Sequence, residues 1–265
     1  MSKVNPALAK VVEQPNNILA IEYLKQINIS NAKLIPLPIS RISAMYNDKE
    51  IKGNIASATA IRQEFLKNGL TTDIANAVSP STFLKLSQLN AEKRLGHNQE
   101  YLDLLLSFLL KQISPAYIAK CCECSEGLEN KIVKAANASN WSEAVAMIKS
   151  KRYPETRINR LLLQILLSSQ EITFKDAISN NPSYLRVLGF NDRGRQLLKK
   201  MRSTANLPII TKLGRNALAN EEQNNNNFIS SLKIDLSATT LFSLLQGNSL
   251  SYPADFKTSP FYLSE

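Results

Sequence analysis

The chain has 265 residues, 44% of them hydrophobic and 20% charged, which suffices to bury a core in one large domain or two smaller ones and is ordinary for a globular protein. The net charge of +10 calls for a polyanionic partner, either nucleic acid or an acidic membrane surface. A lone histidine (His97, in the polar loop RLGHNQE) excludes a hydrolytic triad, and the crowded Cys121, Cys122 and Cys124 exclude a disulfide framework.

The same cysteines lack the C-x-x-C spacing of a metal site, so buried or half-buried helix thiols are expected. No stretch is expected to approach the length of a membrane-spanning helix. Met1 is followed by SKVNPALAK, without an apolar signal region. The expected address is the cytoplasm.

In chain order, apolar residues at Ile18, Leu19, Ile21, Leu24 and Ile27 predict a helix over Asn16–Ile27, after Pro15. The proline-broken run Lys33–Ile39 predicts an edge or terminal strand, and Arg41–Asp48 a polar loop. Lys52-Gly53-Asn54 is a turn that feeds Ile55–Leu66, IASATAIRQEFL. There Ser57 is placed to cap a helix, Thr59 offers a second hydroxyl, and Arg62 adds a planar cationic fork. A helix opening presents unpaired N–H groups and the positive end of its dipole, a fitting seat for phosphate. A capped surface helix with an arbitrary arginine fits this window equally well. Asn68-Gly69 closes the helix.

Beyond Thr71 the pattern is helical. Ser79-Pro80-Ser81 starts a helix through about Leu89, and Gln99–Ile113 is amphipathic, with Tyr101, Leu102, Leu104, Leu105, Phe108, Leu109 and Ile113. Further helices are predicted over Ala116–Cys122, Leu128–Ala138, Trp141–Lys151, Glu155–Ser169 and Asp192–Met201. Leu185–Leu188 and Pro208–Lys212 read as short strands. Asn224–Asn227 reads as a flexible loop, and Leu232–Leu245 as a last strand or helix, with periodicity not deciding which. The expected architecture is α/β: a truncated Rossmann-like half over residues 1–75, then a mainly helical domain with a few short strands over 76–265.

The charge is concentrated. Between Lys149 and Arg215 lie fourteen Lys and Arg against four Asp and Glu, which accounts for the whole net charge. Lys149, Lys151, Arg152, Arg157 and Arg160 precede or share a helix with Ile158, Leu161, Leu162 and Ile165, so one face packs inward while the cationic face meets solvent or phosphate. Tyr153 adds a candidate ring for stacking on a base. The competing reading is a solvated basic face.

PNNILAIEYLK, P-x-x-R-I with a Tyr-Asn-Asp loop, I-A-S-A-T-A-I-R, EGLENKI, K-x-K-R-Y-x-x-T-R-I-x-R-L, Y-L-R-V-L-G-F and L-P-I-I-T-K-L occur in this order. Together they resemble the bacterial tRNA(Met) cytidine acetate ligases, of the HxGH nucleotidyltransferase-like superfamily, from about Ala7 to the C-terminus. The resemblance implies activation of acetate with ATP to acetyl-adenylate, with Mg as the nucleotide counter-ion. The acetyl group then passes to the wobble cytidine of elongator tRNA(Met). It places ATP contacts on Asn16, Arg41 and Ile42, with Ser57, Thr59 and Arg62 at the phosphates. The basic residues Lys149, Lys151, Arg152, Arg157 and Arg160 are read, from their charge, as contacts to the tRNA backbone. No membrane and no obligate protein partner is implied. The H-x-G-H motif of that family does not occur in these residues, so its segment is expected to be missing and the catalytic residues are unassigned. A catalytically inactive tRNA-binding remnant is the alternative.

Overall fold

The computed structural model describes residues 12, 15–39, 49–121, 124, 127–169, 172–178, 182–214, 226–247 and 254–264. The chain forms two compact units, Met1–Leu95 and Gly96–Glu265.

In the first unit, α1 spans Pro15–Ile29, α2 Ala58–Asn68, α3 Thr72–Ala77 and α4 Pro80–Ala91. Local chemistry sets their ends. Ser57, Thr71 and Ser79 each accept a hydrogen bond from a backbone N–H of the following first turn. Gly69 stops α2 at φ +73°, where a side chain would be strained, and its N–H donates to Phe65 O at 2.8 Å. The predicted strand at Lys33–Ile39 is not present: the segment is extended coil without a ladder partner among the described residues. Pro36 and Pro38 lack two of the N–H donors that a ladder needs. This coil and α1 border an apolar groove of about 780 Å³, lined by Tyr23, Leu24, Ile27 and Leu34–Pro38.

In the second unit, α5 spans Gln99–Leu110, α6 Pro115–Cys121, α7 Leu128–Lys134 (continued by a 3-10 turn, Ala135–Asn137), α8 Trp141–Ile148, α9 Glu155–Leu167 and α10 Phe174–Ile178. Their apolar faces enclose one core. Ile158, Leu161, Leu162 and Ile165 of α9 meet Leu106 and Leu110 of α5, Ile132 of α7 and Ile148 of α8. Burying each such side chain contributes about 1.5–3 kcal/mol. The α9 stripe is the predicted one, and the α5 stripe agrees only in part: Leu102 is buried and Leu109 and Ile113 pack on the core as expected. Leu102, Leu106 and Leu110 point inward, while Tyr101, Leu104 and Phe108 are exposed. Because α5 is apolar nearly all round, periodicity could not select its buried face.

The remaining elements are β1 (Leu185–Arg186), β2 (Gly189–Asn191), α11 (Asp192–Thr204), β3 (Ile209–Ile210), α12 (Asn226–Leu245), a 3-10 turn (Ala254–Phe256) and β4 (Phe261–Leu263). Strands β1 and β3 pair in parallel with Leu185 opposite Ile209, and β2 and β4 pair in parallel with Gly189 opposite Phe261. Glycine at 189 lets the strands approach closely, since a Cβ there would lie 3.2 Å from Phe261 O, a tight contact. Asn226 and Asn227 open α12 rather than extending the expected loop, and Asn224 and Asn225 lie outside the described residues. Helix α12 also corrects the membrane-length expectation, because Asn227–Leu245 is long and apolar enough, at mean hydropathy 1.3, to cross a membrane. It nevertheless carries Lys233 and Asp235. Its Phe228, Ile229, Leu232 and Leu236 form a second core with Leu213, which takes up one part of its apolar length.

Candidate functional site

The α2 opening has the predicted geometry. Ser57 is 2% exposed, and its Oγ accepts from Ala60 N at 3.0 Å while its carbonyl accepts from Ile61 N at 3.1 Å. The cap serine is therefore committed to the helix, and the amides of Ala58 and Thr59 are the ones left at the opening. Thr59 is half-buried and Arg62 exposed on the first turns, while Asn16 is exposed on the first turn of α1. Arg41 and Ile42 lie outside the described residues. Among the described residues no group of His, Cys, Asp or Glu could hold a metal ion. His97 is exposed and bonds Gln99 at 3.2 Å, and Cys124 is half-buried.

The basic stretch of the second unit lies on the outer side of the α9 core. Lys149, Lys151, Arg152 and Arg160 are exposed, and Arg157 is half-buried. Lys149 pairs with Glu155 at 3.0 Å, an exposed ion pair that a phosphate can displace at little cost. Tyr153 overturns its expectation. It is 4% exposed within the core, and the Arg157 guanidinium lies 5.2 Å from its ring centroid, so the ring is not presented to a base. The K-R-Y order reads as an exposed cluster, but the turn bonds of Ser150 and Tyr153 roll the aromatic inward. Beside α9, Trp141 Nε1 donates to Asn159 Oδ1 at 2.6 Å and Trp141 N donates to Asp103 Oδ1 at 2.9 Å, which anchors α8 to α9 and α5.

A second cationic face had no residue-level assignment from sequence. Helix α11 exposes Arg193, Arg195, Lys199, Lys200 and Arg202. Its first turn is fixed by Tyr262, whose hydroxyl donates to Asp192 Oδ1 at 2.6 Å, with Arg195 5.8 Å from the Tyr262 ring. That hydrogen bond to a carboxylate raises the Tyr262 phenol above its ordinary range. The signal available in the sequence was the charge count across Lys149–Arg215, which does not resolve faces.

The chain matches the family described as HIGH Nucleotidyl Transferase over residues 1–255. It is 36% identical over 260 residues to a protein of Alkaliphilus metalliredigens named tRNA(Met) cytidine acetate ligase, covering 96% of this chain and 60% of that protein. It is 34% identical over 257 residues to one of the same name from Clostridium novyi, again covering 96% and 60%. Among solved structures it is similar to Thermotoga maritima TmcAL in its apo form, with a TM-score of 0.82 and 25% identity over 96% of this chain and 62% of that one. It is also similar to the form bound with alpha-thio ATP, with a TM-score of 0.80 and 25% identity over 96% and 61%. The chain thus spans about 60% of the length of the curated relatives it matches.

Proposed function

The chain belongs to the HIGH nucleotidyl transferase family, and from that membership we propose that it serves ATP-dependent acetylation of the wobble cytidine of elongator tRNA(Met), in the cytoplasm. The single observation that carries the RNA part is the exposed row Lys149, Lys151, Arg152 and Arg160 laid over the α9 core. Its rigid backing keeps the charges on one outward surface, as phosphate contacts that position an RNA require. Relatives named for tRNA(Met) and a neighbour bound with an ATP analogue support the same reading.

In the proposed chemistry an acetate oxygen attacks the α-phosphorus of ATP and pyrophosphate leaves. The cytidine N4 amine then attacks the acetyl carbonyl and AMP leaves. No side-chain nucleophile is needed, so catalysis consists of positioning and charge stabilisation. The α2 opening with Thr59 and Arg62, helped by Asn16, Arg41 and Ile42, would hold the nucleotide. The committed cap Ser57 orients that opening rather than binding through its hydroxyl. Mg would travel with the triphosphate as its counter-ion. Residues 1–75 would supply the nucleotide side and 76–265 the RNA side.

A second reading is tRNA binding without catalysis by these residues alone, among which H-x-G-H does not occur. Filter binding of tRNA(Met), run beside transfer of labelled acetate with ATP, tests both. RNA binding with acetyl transfer supports the ligase, and RNA binding alone supports the second reading. No tRNA binding at low salt overturns both. Calorimetry is expected to show weak or absent ATP binding to this chain alone, and tight binding would contradict that expectation.

A further inference from the structure

Helix α11 carries five cations, Arg193, Arg195, Lys199, Lys200 and Arg202, against one carboxylate, Asp192. Gly194, Leu198 and Met201 are half-buried and mark the edge that packs on the protein. Each residue turns about 100° further round a helix. Arg195, Lys199 and Arg202 therefore fall on one flank of that edge, and Arg193 and Lys200 on the other, all of them exposed. The helix is held firmly beneath them. The Asn191 side chain accepts from Gly194 N at 2.9 Å, and a Cβ on Gly194 would lie 3.0 Å from the Phe190 Cβ, a tight contact, so α11 starts close against β2. Phe190 is the register partner of Tyr262, whose hydroxyl holds Asp192.

This arrangement of charge works against the helix that carries it. Arg193 and Arg195 stand at the helix opening, the positive pole of the dipole. Arg195 with Lys199, and Lys199 with Arg202, are like-charge neighbours four and three residues apart, which repel. The single carboxylate is already engaged, since Asp192 accepts from Tyr262 and lies 3.6 Å from Arg195. Lys199, Lys200 and Arg202 have no anionic partner among the described residues. A helix face that is merely solvated alternates its signs of charge, and this one does not. A strand of phosphates offsets the repulsion. The row rises about 6 Å from Arg195 to Lys199 and about 4.5 Å from Lys199 to Arg202, a spacing that long cationic side chains match to successive phosphates. An acidic membrane is the poorer match, because Leu197 is the one large apolar side chain that α11 exposes and a surface-bound helix inserts a whole apolar face.

We propose that Arg195, Lys199 and Arg202 form a second seat for the RNA backbone, additional to the α9 row, and that they take consecutive phosphates of one strand. The inference rests on the second unit being an RNA-binding surface. It adds a second line of contact, and two lines fix the orientation of an RNA where one leaves it free to pivot. Lipid headgroups share the phosphate chemistry and are distinguished by the test.

Filter binding of tRNA(Met) to the full chain is measured across a salt series, beside co-sedimentation with phosphatidylserine vesicles. Arg195→Ala, Lys199→Ala and Arg202→Ala together are expected to flatten the dependence of log affinity on log salt by roughly 2–3, at about 0.7–0.9 per phosphate contact. Lys199→Ala with Arg202→Ala leaves the Tyr262–Asp192–Arg195 brace intact and should flatten it by roughly 1.5. Lys67→Ala, Lys85→Ala and Lys93→Ala together remove as much charge from exposed positions of the first unit and should change the slope by less than about 0.5. An unchanged slope in the double variant, or equal flattening by the first-unit changes, overturns the inference while the RNA-binding reading stands. Vesicle binding that the α11 changes abolish, with the tRNA slope kept, assigns the row to lipid phosphate and also overturns it. Failure of tRNA to bind the unaltered chain at low salt overturns the inference and the reading beneath it together.

Discussion

The two units use apolar side chains in opposite ways. In Gly96–Glu265 the leucines and isoleucines of α5, α7, α8 and α9 close on one another, and Ile132, Ile148, Ile158, Leu162 and Ile165 are fully buried. In Met1–Leu95 the buried apolar residues among those described are Ala60 and Ile74, while Ile35 is 93% exposed beside an apolar groove. Similar residue types therefore stabilise one unit and leave the other with water-exposed apolar area. Among the described residues, caps and local helix bonds are what order the first unit, and packing is what orders the second.

Truncation in the packed core should have the largest effect. Leu162→Ala is expected to cost about 2–5 kcal/mol by denaturant titration, whereas Ile35→Ala should stay within about 0.5 kcal/mol. Equal costs would mean that the first unit has a core of its own. Next comes the RNA surface. Changing Lys151, Arg152 and Arg160 together to Ala should weaken tRNA binding across sequences and flatten the dependence of log affinity on log salt by roughly one per lost phosphate contact. Arg157→Ala should differ by lowering the unfolding midpoint too, because its guanidinium packs over buried Tyr153. An effect on binding alone would remove that distinction.

Caps sharpen the comparison at smaller scale. Ser57→Ala is expected to cost the first unit about 1 kcal/mol and to speed hydrogen exchange in the first turn of α2. Unchanged exchange there would show that the cap does not hold the turn. The smallest effect is in the second unit. Glu143 accepts from Ser139 N at 2.8 Å and from the Ser139 hydroxyl, and these bonds hold its carboxyl below the ordinary range. A folded pKa below the unfolded one means that the contribution is present above the unfolded pKa and lost as pH falls through the folded one. Order at the α8 start should therefore loosen only under acidic conditions, as followed by the Ser139 amide shift. Glu143→Gln should remove the pH dependence.

The sequence by itself determined the helices of both units wherever a cap and a period coincide: Ser57 before α2, Ser79 before α4, and the Ile158–Leu161–Leu162–Ile165 stripe of α9. It also determined that cations gather between Lys149 and Arg215, since charge is a property of residues counted one by one. Caps and helical faces are contacts over three or four residues, so a short window contains both partners. Tertiary structure alone decided that Lys33–Ile39 is no strand and that α12 is a helix packed over Leu213. It alone decided that Tyr153 turns inward, and it joined Arg186 to Asp255, 69 residues away. Those outcomes depend on partners far along the chain. A residue's identity states what it can bind, and only the fold states which distant group arrives to be bound.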